Sequence, residues 1–250
     1  MGLNDLAYFL AHNTDAAAAP VVFIHGAGGS HNVWRRQFDL LPDRPTYFLD
    51  LPGHGQTAGP AFADIADSGR WLNRWLTETA AKPAVLVGHS MGGAIAQWMA
   101  LHAPEAVQAI VLVTTGARLK VNPAFLEQLE QGAFDAEQMR MAFSPHTPEA
   151  IVREEIAHWQ NGAPAEVIYS DFSACNRFDV RGDIRRIACP ALIIAGEDDR
   201  MTPPAYSAYM AEQIPDARLV ILQQTGHYPM LEQTERFNEA LKSFIEQLDR

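Results

Sequence analysis

Gly88-His89-Ser90-Met91-Gly92 decides how this chain is read. The five residues have the pattern G-x-S-x-G, and their flanks give the pattern its meaning. Ala84-Val85-Leu86-Val87 before them is a short apolar run of the kind that forms a parallel strand buried on both faces. Gly93 to His102 after them is Ala-rich and, past Gly93, free of Pro and Gly, so it reads as a helix. A strand, a tight turn with Ser at its apex and a helix together expose a serine hydroxyl above a sheet edge. The small residues on either side let the backbone reverse without a Cβ clash.

A serine hydroxyl is a weak nucleophile at neutral pH and needs a base, which in turn needs an orienting acid. On a parallel sheet these partners belong on later loops at the same edge. Two later strand-like runs lead into polar, Gly-containing loops. Ala191–Ala195 precedes Gly196-Glu197-Asp198-Asp199-Arg200-Met201-Thr202-Pro203, and Arg218–Leu222 precedes Gln223-Gln224-Thr225-Gly226-His227-Tyr228-Pro229. The chain order is therefore Ser90, an acid, then His227. The base must be neutral to take a proton, so activity is expected to rise with pH through the ordinary imidazole titration near ~6.5.

With these motifs in that order, the chain resembles the α/β-hydrolases of the single-domain esterase and meta-cleavage-hydrolase type. His25-Gly26-Ala27-Gly28 after the strand Val21–Ile24 is similar to the family's His-Gly segment. Asp50-Leu51-Pro52-Gly53-His54-Gly55 is similar to the loop after the next strand, and the Gly196 to Pro203 and Gly226-His227 segments to its acid and base loops. The resemblance covers nearly the whole length. It implies an α/β-hydrolase fold, a mostly parallel sheet flanked by helices with a helical cap inserted before the acid strand. It places the acid third after Gly196, which selects Asp199 and leaves Asp198 as a solvated or loop-stabilising carboxylate. The alternative acid position of some relatives falls here on Thr114-Thr115-Gly116-Ala117, which has no carboxylate. Catalytic roles are thus expected for Ser90, Asp199 and His227. The oxyanion donors are expected to be the backbone N–H groups of Met91, at a helix start, and Ala27.

Composition narrows the function. At 250 residues and 48% hydrophobic, the chain can bury one sizeable α/β core. Its formal net charge of −11 disfavours nucleic acid and anionic membranes as partners. No apolar run reaches the ~18 residues that span a bilayer, and the first twenty residues lack the basic start of a signal peptide. Cys175 and Cys189 are read as free thiols in a reducing compartment, so a cytoplasmic location is expected. Nine histidines are present, yet neither H-E-x-x-H nor C-x-x-C occurs, so no metal and no cofactor are expected. The segment 26–29 lacks a phosphate-loop signature. Oligomeric state is left open.

Strand and helix alternate through strand 21–25, helix 31–41, strand 46–50, helix 63–80, strand 84–88, helix 92–102 and strand 109–114. Leu6–Ala11 reads as an edge strand. The rhythm then breaks into helical segments 123–131, 135–143, 147–160 and 164–176. Residues 1–116 and 181–250 are therefore expected to form the core, and 117–180 a cap over the site. Most of the cap's large apolar groups should pack it onto the core. A pocket for an apolar acyl or aromatic group is expected between the two, with Gly28, Trp34, Phe125, Phe143, Trp159 and Tyr228 around it, and Trp34, Met91 and Tyr228 near its rim.

The leading expectation is a carboxylesterase acting on small to medium apolar esters. A carbon–carbon bond or lactone hydrolase is the alternative within enzymes, with Arg153, Asn176 or Arg177 as an anion clamp. A ligand sensor that retains the triad is the alternative outside enzymes.

Overall fold

In a computed structural model of the protein, residues 9–15, 17–80 and 83–249 are described. Seven strands form one sheet: β1 (Phe9–His12), β2 (Val21–Ile24), β3 (Thr46–Leu49), β4 (Ala84–His89), β5 (Val107–Val113), β6 (Ala191–Gly196) and β7 (Ala217–Leu222). Their order is β1-β3-β2-β4-β5-β6-β7, and every pairing is parallel except that of β1 with β3. The expected edge strand is present from Phe9 to His12; Leu6 to Tyr8 lie outside the described residues.

The central strands are apolar on both faces because helices cover both faces. Every residue of Val21–Ile24, of Ala84–Val87 and of Ala109–Val113 is wholly shielded from solvent. Each such Val, Leu or Ile contributes about 1.5–3 kcal/mol of burial, so this triplet of strands is the stable floor on which the loops stand. Helix α1 (Ile65–Thr79) starts at Asp64, whose carboxylate accepts the Ala66 N–H at 2.7 Å. It turns Ile65, Leu72, Trp75 and Leu76 inward and packs on α2 (Met91–His102). The C-terminal helix α8 (Thr234–Leu248) buries Phe237, Leu241, Phe244 and Ile245 at i, i+4, i+7, i+8 against β6 and β7.

Strand order sets where a site can form. From β2 the chain crosses to β3 on one side, then returns to β4 on the other side of β2. The carboxyl ends of β2 and β4 therefore flank the topological switch point, where such sheets open a crevice. The pairing Ile24↔Gly88 brings the loop after β2 beside the turn after β4.

Between β5 and β6 runs a helical excursion: α3 (Pro123–Glu130), a 3-10 helix (Ala136–Ala142), α4 (Glu149–Gln160) and α5 (Ala165–Arg177). Its two ends are zipped together, Val180 N–H donating to Ala117 O at 2.8 Å and Leu119 N–H to Phe178 O at 3.3 Å. The last helices are α6 (Pro204–Gln213) and the short α7 (Pro229–Glu232).

One expected helix is shortened, and one expected helical segment takes the tighter 3-10 form. Residues 31–41 hold only a 3-10 turn, His31–Trp34, followed by further i→i+3 turns at Gln37 and Leu40. The buried side chains here are His31, Val33, Trp34 and Gln37, and three of them, His31, Trp34 and Gln37, recur at every third position. A spacing of three suits three residues per turn, not 3.6. Residues 136–142 are likewise 3-10, with Ala136, Met139 and Ala142 buried at the same spacing.

Candidate active site

Ser90 sits at φ +50°, ψ −112°, a left-handed conformation that a non-glycine residue adopts at a cost of about 1–3 kcal/mol. Surrounding bonds hold it there. Its N–H donates to Val113 O at 2.9 Å, and its carbonyl accepts from Gly93 N–H at 2.9 Å and from the Thr115 hydroxyl at 2.8 Å. A Cβ on Gly92 would lie 2.3 Å from Ile24 O, so only glycine lets α2 start this close to β2. Met91 is the first residue of α2, where N–H groups have no intrahelical acceptor.

His227 stands in the loop between β7 and α7. Its Nδ1–H donates to Asp199 Oδ2 at 2.8 Å, with both side chains buried. Asp199 is further held by Met201 N–H at 2.8 Å and Thr202 N–H at 3.0 Å on Oδ1, and by the Thr202 hydroxyl at 2.7 Å on Oδ2. Burial pushes this carboxyl up, but the His227 ring and the Thr202 donors outweigh it and hold it below the ordinary Asp value. Asp198 faces away and accepts the Ser144 hydroxyl at 2.6 Å, tying the acid loop to the helical excursion.

Ser90 and His227 line one crevice together with Gly26, Ala27, His89, Met139, Trp159, Phe172, Met201 and Tyr228. Met139, Trp159, Phe172 and Met201 give it apolar walls, and Ser90, His89 and His227 a polar floor. Its free space is only about 10 Å³, room for one water. A second cavity of about 180 Å³ lies beside it, lined by Gly28, Ser30, Asn32, Glu155, His158 and Asn161 among others. Trp159 lines both and divides them. Its indole Nε1–H donates to the Tyr228 hydroxyl at 3.1 Å.

Of the residues expected around the pocket, Trp159 and Tyr228 reach the crevice and Gly28 reaches the second cavity; Ala27, expected as an oxyanion donor, also lines the crevice. Trp34 does not. It is fully buried between Phe23 and Phe237, edge-on to His89, because the 3-10 turn carries it under the site and not to its rim. Phe143 stacks behind Tyr228 at 4.8 Å, and Phe125 meets Phe172 edge-on at 5.1 Å from the outer side. The anion-clamp candidates lie elsewhere. Arg153 is exposed and paired with Glu149, Asn176 accepts from Val121 N–H, and Arg177 reaches Ala63 O.

His89 is no second base. Its Nε2–H donates to His227 O at 2.9 Å, and burial followed by the nearby His227 ring pushes its pKa well down, so it stays neutral. His25 accepts Leu51 N–H at Nε2 and donates from Nδ1 to Gly26 O; burial and His54 lower it to about 3. Among the described residues no group of three His, Cys, Asp or Glu side chains is placed to hold a metal, and no helix is long and apolar enough to cross a membrane. Both cysteines are unbridged, and burial raises their pKa values.

Sequence reasoning missed Glu232. Its carboxylate accepts the N–H groups of Gly226 (3.0 Å) and Tyr228 (2.9 Å), on both sides of His227. It also accepts Ser144 N–H (2.9 Å) and the Thr147 hydroxyl. The available signal was a carboxylate within the first helical turn after the histidine. Also missed was Asp171, a carboxylate in the middle of the apolar stripe Val167, Ile168, Phe172 and Cys175 of α5.

Comparison with known proteins bears on the fold and the family. The family model described as "Alpha/beta hydrolase family" matches residues 21–240. A pimeloyl-[acyl-carrier protein] methyl ester esterase of Chromobacterium violaceum is 32% identical over 248 residues, covering 90% of this chain and 94% of the relative. The 3-oxoadipate enol-lactonase 2 of Acinetobacter baylyi is 27% identical, covering 98% and 96%. A solved structure of a thermophilic esterase superposes with a TM-score of 0.82 at 33% identity, covering 97% and 98%. On sheet order, turn geometry and kinship alike, the chain belongs to the alpha/beta hydrolase family and is a hydrolase.

Proposed function

We propose that this hydrolase cleaves carboxylic esters of small to medium apolar substrates through an acyl-enzyme on Ser90. The observation that carries the reading is the His227–Asp199 bond, 2.8 Å long and buried, in a crevice shared with a serine on a strained strand-to-helix turn. With Nδ1–H fixed on Asp199, the His227 ring carries its lone pair on Nε2. That nitrogen takes the Ser90 proton as Oγ adds to the ester carbonyl. The resulting oxyanion is received by the N–H groups of Met91 and Ala27, the former at the positive end of α2. Collapse of the tetrahedral species expels the alkoxide, which takes the proton from His227. Water, deprotonated by the same nitrogen, then releases the acid and restores Ser90.

The helical excursion, residues 117–180, serves as a cap in this reading. It supplies Met139, Trp159 and Phe172 to the crevice, and these favour an apolar acyl group. Lactone hydrolysis is the second reading. The enol-lactonase relative favours it, and the chemistry is the same with the leaving oxygen tethered to the acyl group. Carbon–carbon cleavage lacks support, because Arg153, Asn176 and Arg177 stand away from Ser90.

The experiment is hydrolysis of p-nitrophenyl esters of increasing acyl length by wild type and Ser90→Ala. Wild type should turn over the short esters, and Ser90→Ala should lose about 10⁴–10⁶-fold in kcat with the fold intact. Equal rates in the two proteins would refute the assignment. A folded wild type with no turnover on esters or lactones, yet stabilised by them, would instead favour a ligand sensor.

A further inference from the structure

Asp171 lies on α5, far from Ser90 in sequence, and is 2% exposed. One oxygen of its carboxylate, Oδ2, accepts two hydrogen bonds from the core. Gly28 N–H donates at 2.7 Å, and His54 Nε2 at 2.7 Å. Gly28 directly follows Ala27 and holds φ +62°, with the Trp159 ring so close that an added Cβ would lie 2.5 Å from it. His54 in turn points Nδ1 at Pro52 O, 3.0 Å away. Pro52 O can only accept, and so can the Asp171 carboxylate in its ionised form. With both ring nitrogens donating, His54 is a buried imidazolium paired with Asp171, in line with its raised pKa.

We propose that Asp171 is the positioning residue that holds the Gly26–Gly29 turn in the shape that aims the Ala27 N–H at the oxyanion, with His54 as its counter-ion. The proposal rests on the serine-hydrolase reading. Fixing the Gly28 N–H fixes the orientation of the preceding peptide, and with it the backbone of Ala27. Asp171 and Trp159, both from the helical excursion, then clamp the turn from outside while Ser90 faces it from inside.

Other groups around His54 support the pairing. His25, from the loop after β2, lies 4.8 Å away ring to ring and is neutral; Asp50, from the end of β3, is engaged by His31. The Cys175 thiol, one turn beyond Asp171, is pushed up by burial and by that carboxylate. Burial works against charge on His54, but Asp171 outweighs it and the pKa is raised. For a raised histidine, the contribution of the ion pair is complete at low pH and is lost as pH climbs through the folded-state value. Loop order should thus fade on the alkaline side.

The test compares kcat, KM and pH profile of wild type, Asp171→Asn and His54→Gln on a p-nitrophenyl ester, with Ser90→Ala as control. Asp171→Asn should lower kcat about tenfold to a hundredfold, the scale of a small misplacement of a catalytic group, with KM changed less than about threefold. Its alkaline limb should move to lower pH. His54→Gln keeps the Gly28 bond and removes the titration, so its alkaline limb should vanish. NMR of the ring nitrogens should show His54 doubly protonated at neutral pH in wild type. An Asp171→Asn protein with wild-type kcat and limb overturns the proposal. If that variant does not fold, a wild-type alkaline limb in His54→Gln overturns it. Failure of the serine-hydrolase reading shows separately, as turnover that Ser90→Ala does not remove.

Discussion

Asp199→Asn removes one charge and changes one atom, yet the structure says which way the new amide must point. Asp199 Oδ1 accepts two backbone N–H groups, from Met201 and Thr202, neither of which can turn away. Placing the Asn NH₂ there would leave two buried donors facing a donor, at about 1–3 kcal/mol each. The Asn oxygen therefore takes the Oδ1 position, and its NH₂ takes the Oδ2 position, 2.8 Å from His227 Nδ1. Nδ1 can then no longer donate. The ring adopts the other tautomer, with its hydrogen on Nε2, and cannot accept the Ser90 proton. In a Ser-His-Asp arrangement the wrong tautomer costs about 10⁴ in kcat, which is about 5.5 kcal/mol of barrier at 1.36 kcal/mol per tenfold. Packing around the residue is unchanged, so KM for a short p-nitrophenyl ester should stay within about threefold and the thermal midpoint near that of wild type. A kcat within tenfold of wild type, from a folded protein, would refute the tautomer argument.

Two more perturbations read other parts of the site. Trp159→Ala removes the wall between the crevice at Ser90 and the adjoining cavity of about 180 Å³; the acyl-chain optimum should move to longer esters, and an unchanged optimum would mean the cavity plays no part in substrate binding. Glu232→Gln replaces a charged acceptor that gathers three backbone N–H groups around His227 and Ser144; stability should fall by about 2–4 kcal/mol and kcat with it, checked by urea unfolding alongside kinetics.

Much of this was open to reading from sequence because the physics is local. The runs Val21–Ile24 and Ala84–Val87 are apolar without alternation, which only a strand covered on both faces tolerates, and both are wholly buried. The Gly88–Gly92 turn announces itself because few other residues fit there. Asp199 and His227 each follow a strand, and parallel strands deliver their loops to one edge. What stayed hidden depends on depth or on distant partners. Val33, Trp34, Phe38, Leu40 and Leu41 give residues 31–41 the apolar content of a helix face, but the buried His31, Trp34 and Gln37 recur at a spacing of three that belongs to a tighter turn, and it carries Trp34 under the site. Asp171 and Glu232 are charged residues whose meaning lies in backbone N–H groups 143 and 88 positions away, at Gly28 and Ser144. A single sequence marks such pairings only faintly, by a carboxylate standing where an apolar residue is due, as at Asp171, or in the first helical turn after the histidine, as at Glu232.

The central claim is that Ser90 becomes covalently acylated. Wild type mixed with p-nitrophenyl acetate and quenched in acid within the first turnover should carry one acetyl group, mapped by peptide mass spectrometry to the Gly88–Gly92 segment and absent from Ser90→Ala. An acetyl group found instead on another residue, or hydrolysis with no adduct at any quench time and no initial burst of nitrophenol, would contradict the account.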